Sequence, residues 1–548
     1  MRGFLCATLL SALHVAQGQQ CRDATSTTAA NLTVTTRTGT FVGDLNDTYA
    51  DVRQFKYIPY AKPPTGKRRW APPSPLDSSS EVMQSTVFGP ACAQYVSAVP
   101  TSWALNITGN LIVNYGESLL AGAVAQNSAE DCLSLAIWTP ANATADSRLP
   151  VLHFLTGGGD VTGGINIPTQ MPASLVSRSQ QQGGMIVVTT NYRVNVFGTP
   201  NARGLGNATN FGQQDQRLAV EWVYENIAAF GGDPAKITLW GQSAGSSSTD
   251  MYLFSFWQNP LIRASVSSSG FAVGRALNAD YAGSNFSFVA KSLGCDFADA
   301  DLELECMRNV PYPRLENFIG QYQDNSSLVN TSQPAISFTR RPDNKYVLSD
   351  YPAAYAANRI APLPKLIGTT AREASALVAY PIHNYTAGPS EQAVTTATLS
   401  TVCSAHNTSA LRNQLYQNGT GVSPDLKTWR YQWAGNLSNI DGGVPWLGAY
   451  HYSDLYMFFG TWPIAPGETS ELEAETSHKM QDLLVAFVKD PDNGLSDLGW
   501  PTYDTREADG GTAARFGAPG QVVQYVSGNN ASLEGACTEA GVTLLTTF

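Results

Sequence analysis

"DQRLAVEWVYENIAAFGGDPAKITLWGQSAGSSS", residues 215–248, changes its hydrophobic period twice. Leu218, Val220, Trp222, Val223, Ile227 and Phe230 recur at helical spacing and stop at Gly231-Gly232, which predicts a helix with one apolar face. "KITLWG" (236–241) is then a short continuous apolar run, as a strand buried on both faces requires. The following "SAGSSSTDMYLFSF" can resume as a helix. Ser243, between Gly241 and Gly245, falls at the strand-to-helix joint. A G-x-S-x-G in that context turns sharply and leaves the hydroxyl exposed at the sheet edge.

Runs of the same kind lie upstream: "LSLAIWTP" (133–140), "LPVLHFLT" (149–156) and "MIVVTTNYR" (185–193). Strand, helix, strand alternation implies an α/β fold, a large mostly parallel central sheet with helices on both faces. Thr33 to Val52 is rich in Thr and Val with glycine punctuation, the pattern of a small N-terminal antiparallel sheet. "YIPYAKPPTGKRRWAPPSP" (57–75) is too proline-rich for a regular element and reads as an extended surface crossing. No internal repeat or low-complexity linker divides the chain, so residues 19–548 read as a single catalytic domain.

Residues 1–18 read as a signal peptide: a positive end, the apolar "FLCATLLSALHVA", and Ala16-Gln17-Gly18 as a small-residue cleavage site. The run is shorter than the about 20 residues a bilayer span needs. Thirteen N-x-S/T sequons, at Asn31, Asn46, Asn106, Asn142, Asn207, Asn285, Asn325, Asn330, Asn384, Asn407, Asn418, Asn436 and Asn530, agree with export. A net charge of −11 argues against a nucleic-acid partner. Of the eight cysteines, Cys6 leaves with the signal, Cys295 and Cys306 are near enough for a local loop, and Cys92 with Cys132 would close a longer one. Cys21, Cys403 and Cys537 remain, an odd number. No Cys-x-x-Cys or His-x-x-x-His pair supports a structural zinc.

A serine hydroxyl needs a base to become a nucleophile. His14 lies in the signal, His383 and His406 precede sequon asparagines and so read as residues of wet loops, His478 reads as an exposed helix residue, and His153 as a core residue of its strand. His451, in "GAYHYSDLYMFFG" (448–460), follows a glycine and precedes an apolar stretch, which suits a loop over the sheet. The carboxylate that orients it should come between nucleophile and base. Glu373 in "PLPKLIGTTAREASAL" (362–377) follows a buried-strand run, whereas Asp324 and Asp343 do not. Thr156-Gly157-Gly158-Gly159, after the strand with His153, supplies a loop whose amides can approach a developing oxyanion.

These stretches together resemble the type-B carboxylesterase and lipase family of α/β-hydrolases, closest in look to secreted fungal esterases and lipases. The resemblance runs through "YIPYAKPPTGKRRWAPP", "AEDCLSLAIW", "TGGGD", "NYRVNVFG", the opening stretch, "IGTTARE" and "GAYHYSD". It implies Ser243 as nucleophile, Glu373 as acid and His451 as base, with the amides of Gly158, Gly159 and Ala244 as oxyanion donors. It implies disulfides Cys92–Cys132, Cys295–Cys306 and Cys403–Cys537, leaving Cys21 unpaired or competing. The implied activity is a secreted serine carboxylic-ester hydrolase working through an acyl-enzyme on apolar esters, with no metal or cofactor. A triacylglycerol lipase, an acyltransferase with the same triad, and a non-catalytic adhesion protein are the alternatives.

Four positions depart from the family pattern. Gln242 stands for a glutamate, Thr156 for a tyrosine or histidine, Asp160 for an aromatic and Tyr452 for a glycine. An ionised Asp160 aimed inward would oppose the oxyanion, so it is expected to point away or be paired. The Cys92–Cys132 loop would be a mobile lid in a lipase, with Leu111, Ile112, Val113, Leu119, Leu120 and Val124 as its apolar face. Trp103 within it could be read as the tryptophan that faces a cationic substrate in cholinesterases, but Gln242 removes a negative charge such a site would favour.

Overall fold

The computed structural model describes residues 31–538 apart from 96, 98, 100, 106, 108–110, 115–122, 127, 331, 380, 382–383 and 418–425. An eleven-stranded sheet runs through the molecule. Its strands in chain order are β1 (Asp44–Leu45), β2 (Val52–Pro59), β3 (Ser134–Pro140), β4 (Leu149–Leu155), β5 (Ile186–Thr190), β6 (Gly232–Gln242), β7 (Ala264–Ser268), β8 (Lys365–Thr370), β9 (Thr428–Trp433), β10 (Thr512–Phe516) and β11 (Val523–Ser527). They lie in the order β11-β10-β9-β8-β7-β6-β4-β5-β3-β2-β1. Strands β5, β4 and β6 to β10 are parallel along that order, and the antiparallel pairs sit at the two edges.

The parallel strands are the continuous apolar runs because helices cover both of their faces. The predicted amphipathic helix is α1 (Phe211–Asn226), extended by a 3-10 turn at Ile227–Phe230. The helix after the elbow is α2 (Ala244–Ser255). Further helices are α3 (Tyr312–Leu328), α4 (Glu391–Gln417), α5 (Asp454–Phe459) and α6 (Glu471–Lys489). Phe154 on β4 and Trp240 on β6 pack edge to face, and Trp240 stacks on Phe459 with centroids 5.0 Å apart. That aromatic cluster anchors α5, and with it the loop just before it, against the middle of the sheet.

The small N-terminal sheet is mixed rather than antiparallel. Thr33–Thr36 and Gly39–Val42 form the expected hairpin, but Val82–Gln84 adds to it in parallel, and β1 and β2 belong to the main sheet. The proline-rich stretch is less irregular than expected: Tyr57 to Pro59 end β2, and the chain then turns at Gly66–Arg68. Among the described residues three disulfides close the loops Cys92–Cys132, Cys295–Cys306 and Cys403–Cys537. Residues 1–30, including the expected signal peptide and Cys21, lie outside the described residues, as do Asn106, Asn418 and His383. Leu119 and Leu120 also lie outside them. Leu111–Asn114 and Ala123–Gln126 pair as short parallel strands.

Candidate active site

The parallel strands deliver their loops to one edge. Leu155 of β4 is paired with Gly241 of β6, so the glycine loop after β4 and the turn after β6 emerge side by side. The chain leaves β6 at Gln242 and enters α2 at Ala244, which forces Ser243 to φ 56° and ψ −123°. Such a strained backbone persists only where the surroundings over-determine it. Here Ser243 N–H donates to Ser268 O at 2.9 Å, and Ser247 N–H donates to Ser243 O at 3.0 Å. A Cβ on Gly241 would lie 2.1 Å from Gly245 O, and one on Gly245 2.1 Å from Leu155 O, so side chains at these flanks are excluded by contact.

Glu373 lies three residues beyond the end of β8 and is fully buried. Its Oε1 accepts Thr370 N–H at 2.8 Å, and its Oε2 is 2.7 Å from His451 Nδ1. The loop with His451 is held beside it through Arg372 N–H, which donates to Ala449 O at 3.0 Å. A carboxylate at Nδ1 fixes the tautomer with the proton there and leaves a lone pair on Nε2. That lone pair faces Gln242 Nε2 at 3.1 Å. Sequence reasoning marked Gln242 as a departure without foreseeing this contact.

The N–H groups of Gly158, Gly159 and Ala244 donate to no protein acceptor among the described residues. Gly158 has φ 118° and a Cβ there would lie 2.3 Å from Thr162 O, so this turn needs glycine. Gly157, not singled out from sequence, comes so close to the elbow that a Cβ would lie 2.8 Å from Ser243 Cβ. These groups open on a cavity of about 760 Å³ that includes Trp103, Phe271, Tyr452, Arg275, Gln323 and Asp324 in its lining. Trp103 packs edge-on against Tyr450 and Tyr452.

Asp160 is buried and paired, as expected, with Arg275 at 3.0 Å and with Arg340. Tyr452 adopts φ 89°, a conformation that favours the family's glycine, and its hydroxyl is held by Thr169 and Gln170. Thr156 Oγ1 donates to Gln170 Oε1 at 2.9 Å, so two of the four departures share one buried network.

Among the other described histidines, His478 and His153 lie as the sequence reading had them and His406 does not. His478 is exposed on α6. His406 is not on a wet loop: it is half-buried in α4, with Nδ1 2.9 Å from Glu534 Oε2. His153 is in the core, with Nε2 bonded to Thr190 Oγ1 at 2.7 Å and Nδ1 without a partner among the described residues, and burial pushes its pKa down to about 3. Asp324 is in α3 and lines the cavity, bonded by Ser97 Oγ at 2.6 Å. Of the sequon asparagines, Asn31, Asn142, Asn207, Asn325, Asn330, Asn384, Asn436 and Asn530 are exposed, whereas Asn46, Asn285 and Asn407 are half-buried.

Sheet order, elbow and loop arrangement define an α/β-hydrolase. Comparison with known proteins gives the particular kind. The profile of the carboxylesterase family matches residues 30–428. Secreted lipase 5 of Gibberella zeae is 34% identical over 503 residues, 87% of this chain and 89% of the relative. A chlorogenic acid esterase of Aspergillus niger is 34% identical over 546 residues, 96% and 98% of the two chains. Liver carboxylesterase 1 of Oryctolagus cuniculus is 30% identical over 316 residues, 55% and 53% of the two chains. This chain belongs to the carboxylesterase family and is a carboxylic ester hydrolase.

Proposed function

We propose that Ser243, His451 and Glu373 act as a catalytic triad that hydrolyses carboxylic esters through an acyl-enzyme. His451 takes the proton of Ser243 Oγ as that oxygen attacks the ester carbonyl. The negative charge forms opposite the amides of Gly158, Gly159 and Ala244. Collapse expels the alcohol with the proton from His451, and water, activated by the same imidazole, releases the acid. The observation that carries this reading is the 2.7 Å contact of Glu373 with His451 Nδ1, behind a serine held in a strained elbow at the cavity floor. Unengaged N–H groups at three converging backbone positions support the oxyanion assignment.

The cavity supports an ester of moderate size with both apolar and polar parts. Its volume of about 760 Å³ is within the range of pockets that enclose small organic ligands. Trp103, Phe271 and Tyr452 offer apolar contact, while Gln323, Ser400 and Thr401 are polar. This narrows the expectation of a purely apolar substrate. A secreted life, with residues 1–18 removed and glycans on exposed sequons, is supported by relatives named as secreted lipases. Among the described residues no helix is long and apolar enough to cross a membrane.

The test is Ser243→Ala combined with labelling by a fluorophosphonate. Ester hydrolysis should fall by about a thousandfold or more, and mass spectrometry should place the label on Ser243 of the unaltered protein. Half of the activity remaining would mean a different nucleophile.

A further inference from the structure

Asp160 brings two guanidinium groups to the wall of the cavity. Arg275 Nη2 donates to its Oδ2 at 3.0 Å, and Arg340 Nη2 to its Oδ1. One carboxylate between two cations leaves one positive charge uncompensated. Arg340 is 1% exposed and is spent on the scaffold: its Nη2 also donates to Ala244 O at 2.8 Å and Ser248 Oγ at 2.9 Å. Its Nε is buried and meets no hydrogen-bond acceptor among the described residues.

Arg275 is placed differently. Its side chain is 26% exposed and lines the cavity, with Nη1 donating to Ser247 Oγ at 3.0 Å. Its Nε makes no hydrogen bond to any described residue. Ser247 is four residues beyond Ser243, about 6 Å along the helix axis, so this hydrogen bond ties the guanidinium about one turn from the nucleophile. The anionic lining residue Asp324 accepts hydrogen bonds from Tyr95 and Ser97, and His451 is held by Glu373.

We propose that Arg275 is a specificity residue that selects carboxylic esters bearing a second, ionised carboxylate, which it receives while Ser243 attacks the ester. The proposal rests on the triad assignment and names the substrate class of that site. Arg275 has five N–H groups and gives one to Ser247 and one to Asp160, so the others can meet a carboxylate, and such charge-assisted bonds are stronger than neutral ones. With Arg275 only about a quarter exposed, the uncompensated charge is better satisfied by an anion than by a neutral ester. A carboxylate on the acyl part and one on the alcohol part present the same chemistry, and paired substrates separate them.

The experiment reads the ratio of kcat/KM for an anionic ester to that for its neutral counterpart. One pair is 4-nitrophenyl hydrogen glutarate against 4-nitrophenyl pentanoate, with the charge on the acyl side. The other is 3-(butyryloxy)benzoate against 3-(butyryloxy)benzamide, with the charge on the alcohol side. The unaltered enzyme should prefer the anion by about tenfold or more in one pair, the size of a charge-assisted hydrogen bond. Arg275→Gln, which leaves Asp160 and Arg340 as a neutral pair, should lower that ratio by about tenfold. Arg275→Lys should retain most of it. A ratio near one in both pairs for the unaltered enzyme overturns the proposal whether or not the variants fold, and so does a preference unchanged in Arg275→Gln. Neutral-ester hydrolysis that survives Ser243→Ala would instead remove the triad assignment beneath it.

Discussion

Glu373→Gln tests the site at its most buried point. The substitution keeps size and shape but removes the charge, and the two oxygens of Glu373 have opposite-facing duties. Oε1 accepts Thr370 N–H at 2.8 Å and Oε2 accepts His451 Nδ1–H at 2.7 Å. A carboxamide has one acceptor for these two donors. If its oxygen turns to His451, its NH2 meets Thr370 N–H and a buried hydrogen bond is lost, at about 1–3 kcal/mol. If its oxygen turns to Thr370, its NH2 donates to Nδ1, and the imidazole must carry its proton on Nε2. That second arrangement satisfies both contacts but removes the acceptor that the proposed nucleophile Ser243 needs. The competent orientation is therefore held by between roughly one molecule in five and one in two hundred. Losing the charge that stabilises the imidazolium removes about another ten- to a hundredfold. The two factors together predict a fall in kcat of about fiftyfold to twenty-thousandfold. KM for a neutral ester should hardly move, because Glu373 does not touch substrate. Steady-state kinetics with urea melts as a folding control measure this, and a loss under about tenfold would refute Glu373 as the orienting acid.

Two further predictions concern the groups around that pair. Gln242→Glu removes the N–H that faces His451 Nε2 at 3.1 Å, so that nitrogen is freed from a competing hydrogen bond and kcat for a neutral ester at about pH 7 should rise by up to about tenfold. An unchanged kcat would mean that residue 242 turns away from the base. Asp454 is fully buried, one oxygen taking Tyr431 O–H at 2.8 Å and the other unpartnered, and burial first, then the nearby Glu373, pushes its pKa up to about 6 from 3.8. Because the folded chain holds this proton more tightly than the unfolded chain, stability falls as pH rises from about 4 to 6, by up to about 3 kcal/mol. Asp454→Asn should therefore be more favourable, relative to the unaltered protein, at pH 7.5 than at pH 4, and equal urea midpoint shifts at the two pH values would contradict it.

Most of the framework was legible in the sequence. The continuous runs 149–156, 185–193 and 236–241 became the central parallel strands, and the Gly-Gly stop after Phe230 ended the predicted helix. The elbow serine and the glycine loop were readable because turn chemistry is fixed by a few adjacent residues. The pairing of Cys295 with Cys306 was readable because little chain separates them.

What the sequence left open was which distant groups meet. Glu373 and His451 are separated by 78 positions, and nothing local says that the loop after β9 folds back on the end of β8. Sequence reasoning expected Asp160 to point away or be paired, yet could not name its two arginines, which lie 115 and 180 positions away. His406 looked solvated beside its sequon, but α4 turns it toward Glu534, 128 positions on. Val82–Gln84 joined the N-terminal hairpin in parallel because its neighbour in space, not in sequence, offered a free edge. Periodicity and turn preference are properties of contiguous residues and survive in a linear text. A buried charge takes whichever partner the packed elements bring within a few ångströms, and that choice exists only once the sheet has set its strand order.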